Sequence, residues 1–246
     1  MAAYSLWQIG LAIIGAFLLG LGKAGIKGLS VIIVTIFAIV FGSKYSTGVL
    51  MPLLIIGDVF AVIYYHRHTQ WNFLKKLLPW MMAGILIGVW IGKDLPEELF
   101  KKGMASIILV SIVLMIWMEK QKKNIVPQHF LFGAGMGLTS GITTMIGNLA
   151  GAFSDLYFLA MRLPKNEFIG TGAWLFLLIN LFKVPFQYFV WENIHFKSLY
   201  IDLWLLPGLI AGLFCGIWMV KRLNEDHFRI LIMVLTGLGA LFIFFK

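Results

Sequence analysis

Charge is scarce in this chain. Of its 246 residues, 13% are Asp, Glu, Lys or Arg, about half the share found in soluble domains. An ordinary water-soluble globular protein is therefore excluded. Cysteine is scarcer: Cys215 stands alone, so neither an intrachain disulfide nor a cysteine-based zinc site can form. A phosphate-binding loop is also missing, because "GKAG" at 22–25 lacks both the preceding strand and the GxxxxGK[ST] spacing. The opening "MAAYSLWQIG" has no basic n-region, so it reads as the start of a membrane segment rather than a signal peptide. Nothing in the sequence asks for a cofactor or a metal.

What is abundant is apolar length. Sixty per cent of the residues are hydrophobic and the mean hydropathy is +0.90. Apolar runs fall near 5–21, 28–42, 46–65, 77–92 and 103–118, and again near 129–142, 144–161, 168–190, 200–220 and 228–245. Runs of this length recurring along a chain mark membrane-spanning helices. The net charge of +9 sits mostly in short loops between the runs, where lipid topology puts Lys and Arg. Nucleic acid is thus not the expected partner, and the lipid bilayer is.

The polar stretch "EKQKKNIVPQ" (119–128) divides the chain into a first membrane repeat, 1–118, and a second, 129–246. Pro79, Gly84, Gly88, Trp90, Lys93, Leu95, Glu97 and Phe100 recur as Pro207, Gly212, Gly216, Trp218, Lys221, Leu223, Glu225 and Phe228, each at an offset of 128. Thr47-Gly48 and Thr171-Gly172 add a pair at offset 124. This is an internal repeat. Five segments per half is an odd number, so tandem copies enter the membrane from opposite sides. The predicted fold is an all-α integral membrane protein, an inverted repeat of two five-segment halves with about 8–10 membrane segments. Inverted repeats typify secondary transporters, whose sites lie near the midplane where the repeats meet.

Alternate loops carry eleven Lys and Arg on one side (Arg67, Lys75, Lys76, Lys120, Lys122, Lys123, Arg162, Lys165, Lys221, Arg222, Arg229) and six on the other (Lys44, Lys93, Lys101, Lys102, Lys197, Lys246). The first set is expected in the cytoplasm and both termini outside. Trp71, Trp80, Trp191 and Trp204 fit an interfacial aromatic belt. His66 and His68 form an HxH pair without a third ligand in reach, which favours an interfacial loop over a metal site.

Residues 6–41 contain two charges, Lys23 and Lys27. One helix of that length would run roughly 54 Å, against about 30 Å of hydrocarbon. The chain must break, and "GLGKAGIKGLS" (20–30) marks the place. The segments on either side are either full spans or a re-entrant pair. Buried lysines four residues apart need an anion between them, since each is costly in lipid; in an exposed turn they would be unremarkable. Residues 130–161 repeat the problem with one charge, Asp155. Here Thr143, Thr144 and Asn148 lie among glycines, offering hydroxyls, an amide and freed backbone N–H groups to an anion. Asp58, Asn180 and Lys183 lie mid-segment, and Pro185 removes a helical N–H. Asp58 is expected either to pair with Lys183 or Lys27 or to carry a coupling proton, and Asp155 to lie nearer a membrane surface.

"GAFLLGLGKAGIKG", "GAGMGLTSGITTMIGN", "KYSTGVLMPLLIIGDVFAVIYYHRH", "GILIGVWIGKDLPEELFKK" and "GTGAWLFLLINLFKVPF" together resemble the sulfite exporter TauE/SafE family, also called the toluene sulfonate uptake permeases, over about 11–245. The family's Gly-Gly-Gly opening appears here as "GKAGIKG". The resemblance implies a bacterial inner-membrane transporter for a small sulfur-containing anion such as sulfite, thiosulfate, sulfoacetate or another organosulfonate. With no ATP-binding domain, transport is expected to be secondary, with proton or sodium coupling. Lys23, Lys27, Thr143, Thr144, Asn148, Asn180 and Lys183 are the expected substrate site, with Asp58 and Pro185 in coupling or gating. The other classes to weigh are a membrane enzyme or receptor, and a cation carrier using Asp58 and Asp155.

Overall fold

A computed structural model describes residues 5–93 and 130–224, with a few positions between 95 and 106 and between 227 and 234. The linker 119–128 and nearly all of the runs 103–118 and 228–245 lie outside the described residues. So do Lys101, Lys120, Lys122, Lys123, Arg229 and Lys246 of the charge count, and Glu97, Phe100 and Glu225 of the repeat.

Every regular element among the described residues is helical. The order is α1 (Leu6–Lys23), α2 (Ser30–Phe41), α3 (Ser43–Tyr65), a 3-10 turn (His66–His68), α4 (Trp71–Gly92), α5 (Phe130–Gly147), α6 (Gly151–Ala160), α7 (Lys165–Phe189) and α8 (Phe196–Arg222). Six of these are long and apolar enough to cross a membrane: α1, α3 with its 3-10 turn, α4, α5, α7 and α8. α2 has 12 residues and α6 has 10, so they extend roughly 18 Å and 15 Å, too short to span.

Both expected breaks are present, and their chemistry is local. α1 stops at Lys23, and Gly25 (φ 122°) and Gly28 (φ 89°) carry the chain through left-handed backbone that L side chains resist. Within the turn, Ile26 N–H donates to Leu21 O and Lys27 N–H to Gly25 O, both at 3.0 Å. The second break follows Gly147. There Asn148 takes φ 55°, a conformation asparagine tolerates better than most residues. Ser140 and Ser154 each donate a hydroxyl to the Ala150 carbonyl at 2.8 Å. Bare backbone cannot face lipid; these bonds and the burial of 24–29 and 148–150 satisfy it.

Lipid tails are as apolar as leucine, so close backbone approach rather than burial drives helix pairing in a membrane. α1 packs along α8 and α4 along α5. At the first contact a β-carbon on Gly20 would collide with Leu209 O, and one on Gly212 with Phe17 O. At the second, Gly141 faces Met81 O and Gly84 faces Leu138 O in the same way. Gly216 meets Leu21 and Ala24; Gly88 meets Ile142 and Met145. Positions 84 and 88 are those repeated at 212 and 216, so each repeated glycine pair sits at a close helix contact.

α3 and α7 form the centre and run antiparallel. The Thr47 hydroxyl, at the start of α3, accepts from Asn193 Nδ2 (3.2 Å), just beyond α7. The Thr171 hydroxyl, at the start of α7, accepts from Gln70 N–H (2.8 Å), just beyond α3. The repeated threonines thus hold the same joint at opposite ends. Lys165 Nζ donates to Val220 O and Leu223 O, and the 66–70 turn meets Gly170 and Thr171. Arg67, Lys165, Lys221 and Arg222 therefore share one end of the bundle. At the other, Lys44 Nζ donates to Lys93 O (2.9 Å).

One local expectation needs correction. Trp191 is not a lipid-facing belt residue: it is buried, its indole lies where a β-carbon on Gly92 would go, and Nε1 donates to Val89 O at 3.3 Å. Trp71 and Trp204 are exposed, as a belt requires. His66 and His68 are exposed in the turn, and among the described residues no three His, Cys, Asp or Glu side chains gather to hold a metal.

Candidate functional site

The two breaks face each other across α3 and α7, and a cavity of about 80 Å³ lies between them. Its polar lining is Lys23, Lys27, Ser30, Thr144, Asn148, Asp155 and Asn180; Phe176, aliphatic residues of α1, α2 and α3, and small residues at the two breaks form the rest. Lys23 and Lys27 are 8% and 6% exposed, which rules out the exposed-turn reading of the pair.

Lys23 reaches its partner because α3 is notched. A β-carbon on Gly57 would press on Lys23 Cγ at 2.8 Å, so glycine there lets the lysine stem pass. Beyond it, Lys23 Nζ meets Asp58 Oδ1 at 2.6 Å. The partner of Asp58 is thus Lys23, not Lys183 or Lys27: reach along the notch decides, whereas sequence distance does not. The other carboxylate oxygen accepts from Asn180 Nδ2 at 2.7 Å.

Asn180 continues the network through its carbonyl, which accepts from Lys183 Nζ at 3.2 Å. Lys183 donates also to Asn148 Oδ1 (2.7 Å) and Thr144 Oγ1 (3.0 Å). An ammonium has three donors, so Lys183, although fully buried, is fully satisfied, and by neutral acceptors. Asn148 Nδ2 in turn donates to Thr47 O at 3.0 Å. One hydrogen-bonded chain therefore runs Lys23–Asp58–Asn180–Lys183–Asn148, tying α1, α3, α7 and the second break together.

Lys27 differs. Among the described residues it has no hydrogen-bond or ion-pair partner, and its Nζ lies 5.0 Å over the Phe176 ring, with Lys23 Nζ 5.4 Å from the same ring. An aromatic ring shared by two ammonium groups is a weak substitute for a counter-charge, worth about 0.5–2 kcal/mol each. Around the cavity three lysines stand against two aspartates, Asp58 and Asp155. With all ionised, one positive charge remains unbalanced. The first residues of α2 and α6, Ser30 and Gly151, also line the cavity, and helix N-termini favour anions.

Of the expected site residues, Lys23, Lys27, Thr144, Asn148 and Asn180 line the cavity, with Lys183 and Asp58 directly behind. Thr143 is buried but spends its hydroxyl on Ser140 O (3.1 Å). Pro185 is exposed on α7, away from the lining. Asp155 is buried in the cavity wall rather than near a surface. Sequence reasoning missed Phe176 altogether, because one phenylalanine among 21 carries no signal.

Among known families, the model of one describes this chain from residue 9 to residue 243. The chain belongs to the sulfite exporter TauE/SafE family. Neither the curated proteins nor the solved structures yielded a match. Membership, together with six helices among the described residues that are long and apolar enough to span, makes this TauE/SafE protein an integral membrane protein of a transporter family. The family match and the cavity are independent: one rests on the whole sequence, the other on where two broken helices meet.

Proposed function

We propose that this protein moves a small sulfur oxyanion, or a short organosulfonate, across a bacterial inner membrane by secondary transport. The observation that carries the proposal is Lys27: a buried ammonium with no counter-ion among the described residues, lining a small cavity in a chain of the sulfite exporter family. Lys23 and Lys27 supply charge. Thr144, Asn148 and Asn180 supply hydrogen-bonding groups, and Lys183 fixes their orientation. α2 and α6 are re-entrant half-helices aimed at the cargo.

The two halves act as an inverted repeat rocking about α3 and α7. Supporting this are the antiparallel course of those helices and the matched glycine contacts at Gly20–Gly212 and Gly84–Gly141. The end carrying Arg67, Lys165, Lys221 and Arg222 is cytoplasmic, and both termini are periplasmic. Against a cation carrier, both oxygens of Asp58 are already engaged by Lys23 and Asn180.

A ligand that binds the folded state alone raises stability by mass action. Purified protein in detergent, melted against sulfite, thiosulfate, sulfoacetate and chloride at matched ionic strength, is expected to show saturable stabilisation by at least one sulfur anion and none by chloride. Lys27→Ala is expected to abolish it. No saturable shift with any of these anions, and no flux in proteoliposomes, would refute the proposal.

A further inference from the structure

We infer that Asp155 is a proton-binding site that couples anion binding to proton uptake; the inference rests on the anion site proposed above. Asp58, the residue that sequence position singles out for this role, has both carboxylate oxygens occupied. Asp155 is the reverse case. It lies in the cavity wall, 7% exposed, and its Oδ1 is buried with no hydrogen-bond partner among the described residues. Buried carboxylate oxygens ordinarily find a donor; among the described residues this one has none.

The groups around it define what a proton would do. From the first break come Lys27 and, behind it, Lys23 with Asp58. α2 and α5, both packed near α6, contribute no ionisable side chain, only Ser30, Thr143 and Thr144. α7 brings Lys183 behind Asn180, while its Lys165 and Glu167 lie at its far N-terminal end. On α6 itself the other titratable group is Tyr157. Among the described residues Lys27 is therefore the one cation near Asp155 not already matched, and no salt bridge closes between them. An ionised Asp155 and an entering anion compete for that ammonium.

The step balances simply. A proton adds to a carboxylate oxygen of Asp155, forming one O–H bond and removing one negative charge. The cluster passes from one net positive charge to two, enough to neutralise a dianion. The carboxylate no longer competes for Lys27, and the new O–H can donate to an oxyanion oxygen. When the cavity opens to the other side, anion and proton leave together.

Thiosulfate is the anion of a strong acid and stays a dianion throughout the neutral range, so any pH dependence of its binding there belongs to the protein. Its affinity for the whole protein is expected to fall about tenfold per pH unit on the alkaline limb. In weakly buffered solution, saturating thiosulfate on the alkaline limb should draw close to one proton from the medium per protein. Asp155→Asn, which imitates the protonated side chain, should hold the acid-plateau affinity at every pH and take up no proton. Wild-type binding that is flat with pH, binding without proton uptake, or an Asp155→Asn protein that keeps the wild-type pH profile would each overturn the inference. An Asp155→Asn protein that melts normally but binds at no pH would do the same. Absence of any anion binding by wild type would instead refute the anion site itself. The proton count on wild type needs no variant, so a misfolded mutant leaves the inference open to refutation.

Discussion

Separating Lys23 from Asp58 tests whether this pair is structural. The two charges meet at 2.6 Å and are 9% and 1% exposed, so solvent screens them little. Breaking such a pair by removing one partner typically costs about 3–5 kcal/mol, because an uncompensated charge stays buried. Asp58→Leu strands the Lys23 ammonium and takes one acceptor from Asn180, which adds about 1–3 kcal/mol. Lys23→Met strands the carboxylate but leaves Asn180 its bond. The double variant strands neither charge, and replacing a whole buried pair by apolar groups is often nearly neutral. Its loss is then mainly the Asn180 bond. The coupling between the two positions should therefore be at least about 3 kcal/mol, well above the ~0.5 kcal/mol expected of independent sites. The assay is reversible unfolding in mixed detergent micelles for wild type, both single variants and the double. Additive single-variant losses would refute the account: Asp58 would not depend on Lys23 and would be free for another role. The double variant keeps Lys27, so residual anion binding in it measures what Lys27 supplies alone.

Lys183→Met would leave Thr144 Oγ1, Asn148 Oδ1 and Asn180 Oδ1 without their buried donor; a loss of about 3 kcal/mol or more is expected, read by the same unfolding assay. Phe176→Ala removes the ring on which Lys23 and Lys27 rest and widens the cavity. Thermal-shift titrations should show weaker binding of inorganic sulfur anions and new binding of a longer alkanesulfonate; unchanged selectivity would deny Phe176 any part in the site. Gly212→Ala drives a methyl into Phe17 O and should lower stability by about 1–3 kcal/mol. Gly135→Ala, with open space around the new carbon, should raise it by about 0.5–1 kcal/mol; melting temperatures that move alike for both would contradict the α4–α5 and α1–α8 packing described.

The amino-acid sequence by itself determined the solvent this chain folds in, because 13% charge and +0.90 mean hydropathy leave no other. It determined where two helices break: a 36-residue apolar run exceeds the bilayer, and glycines at 25 and 28, or Asn148, are the residues that can turn there. It also registered the repeated glycines, since close helix approach admits no larger side chain. Only the tertiary structure decided who meets whom. For Asp58 the sequence pointed to Lys27 or Lys183; the notch at Gly57 selects Lys23 instead. Asp155 reads as a residue near a membrane surface until the fold buries it in the cavity wall. Trp191 looks like any interfacial tryptophan until Gly92 leaves a space for its ring. Each of these depends on distances between segments far apart in the chain, and periodicity, composition and spacing record only what neighbours along the chain require.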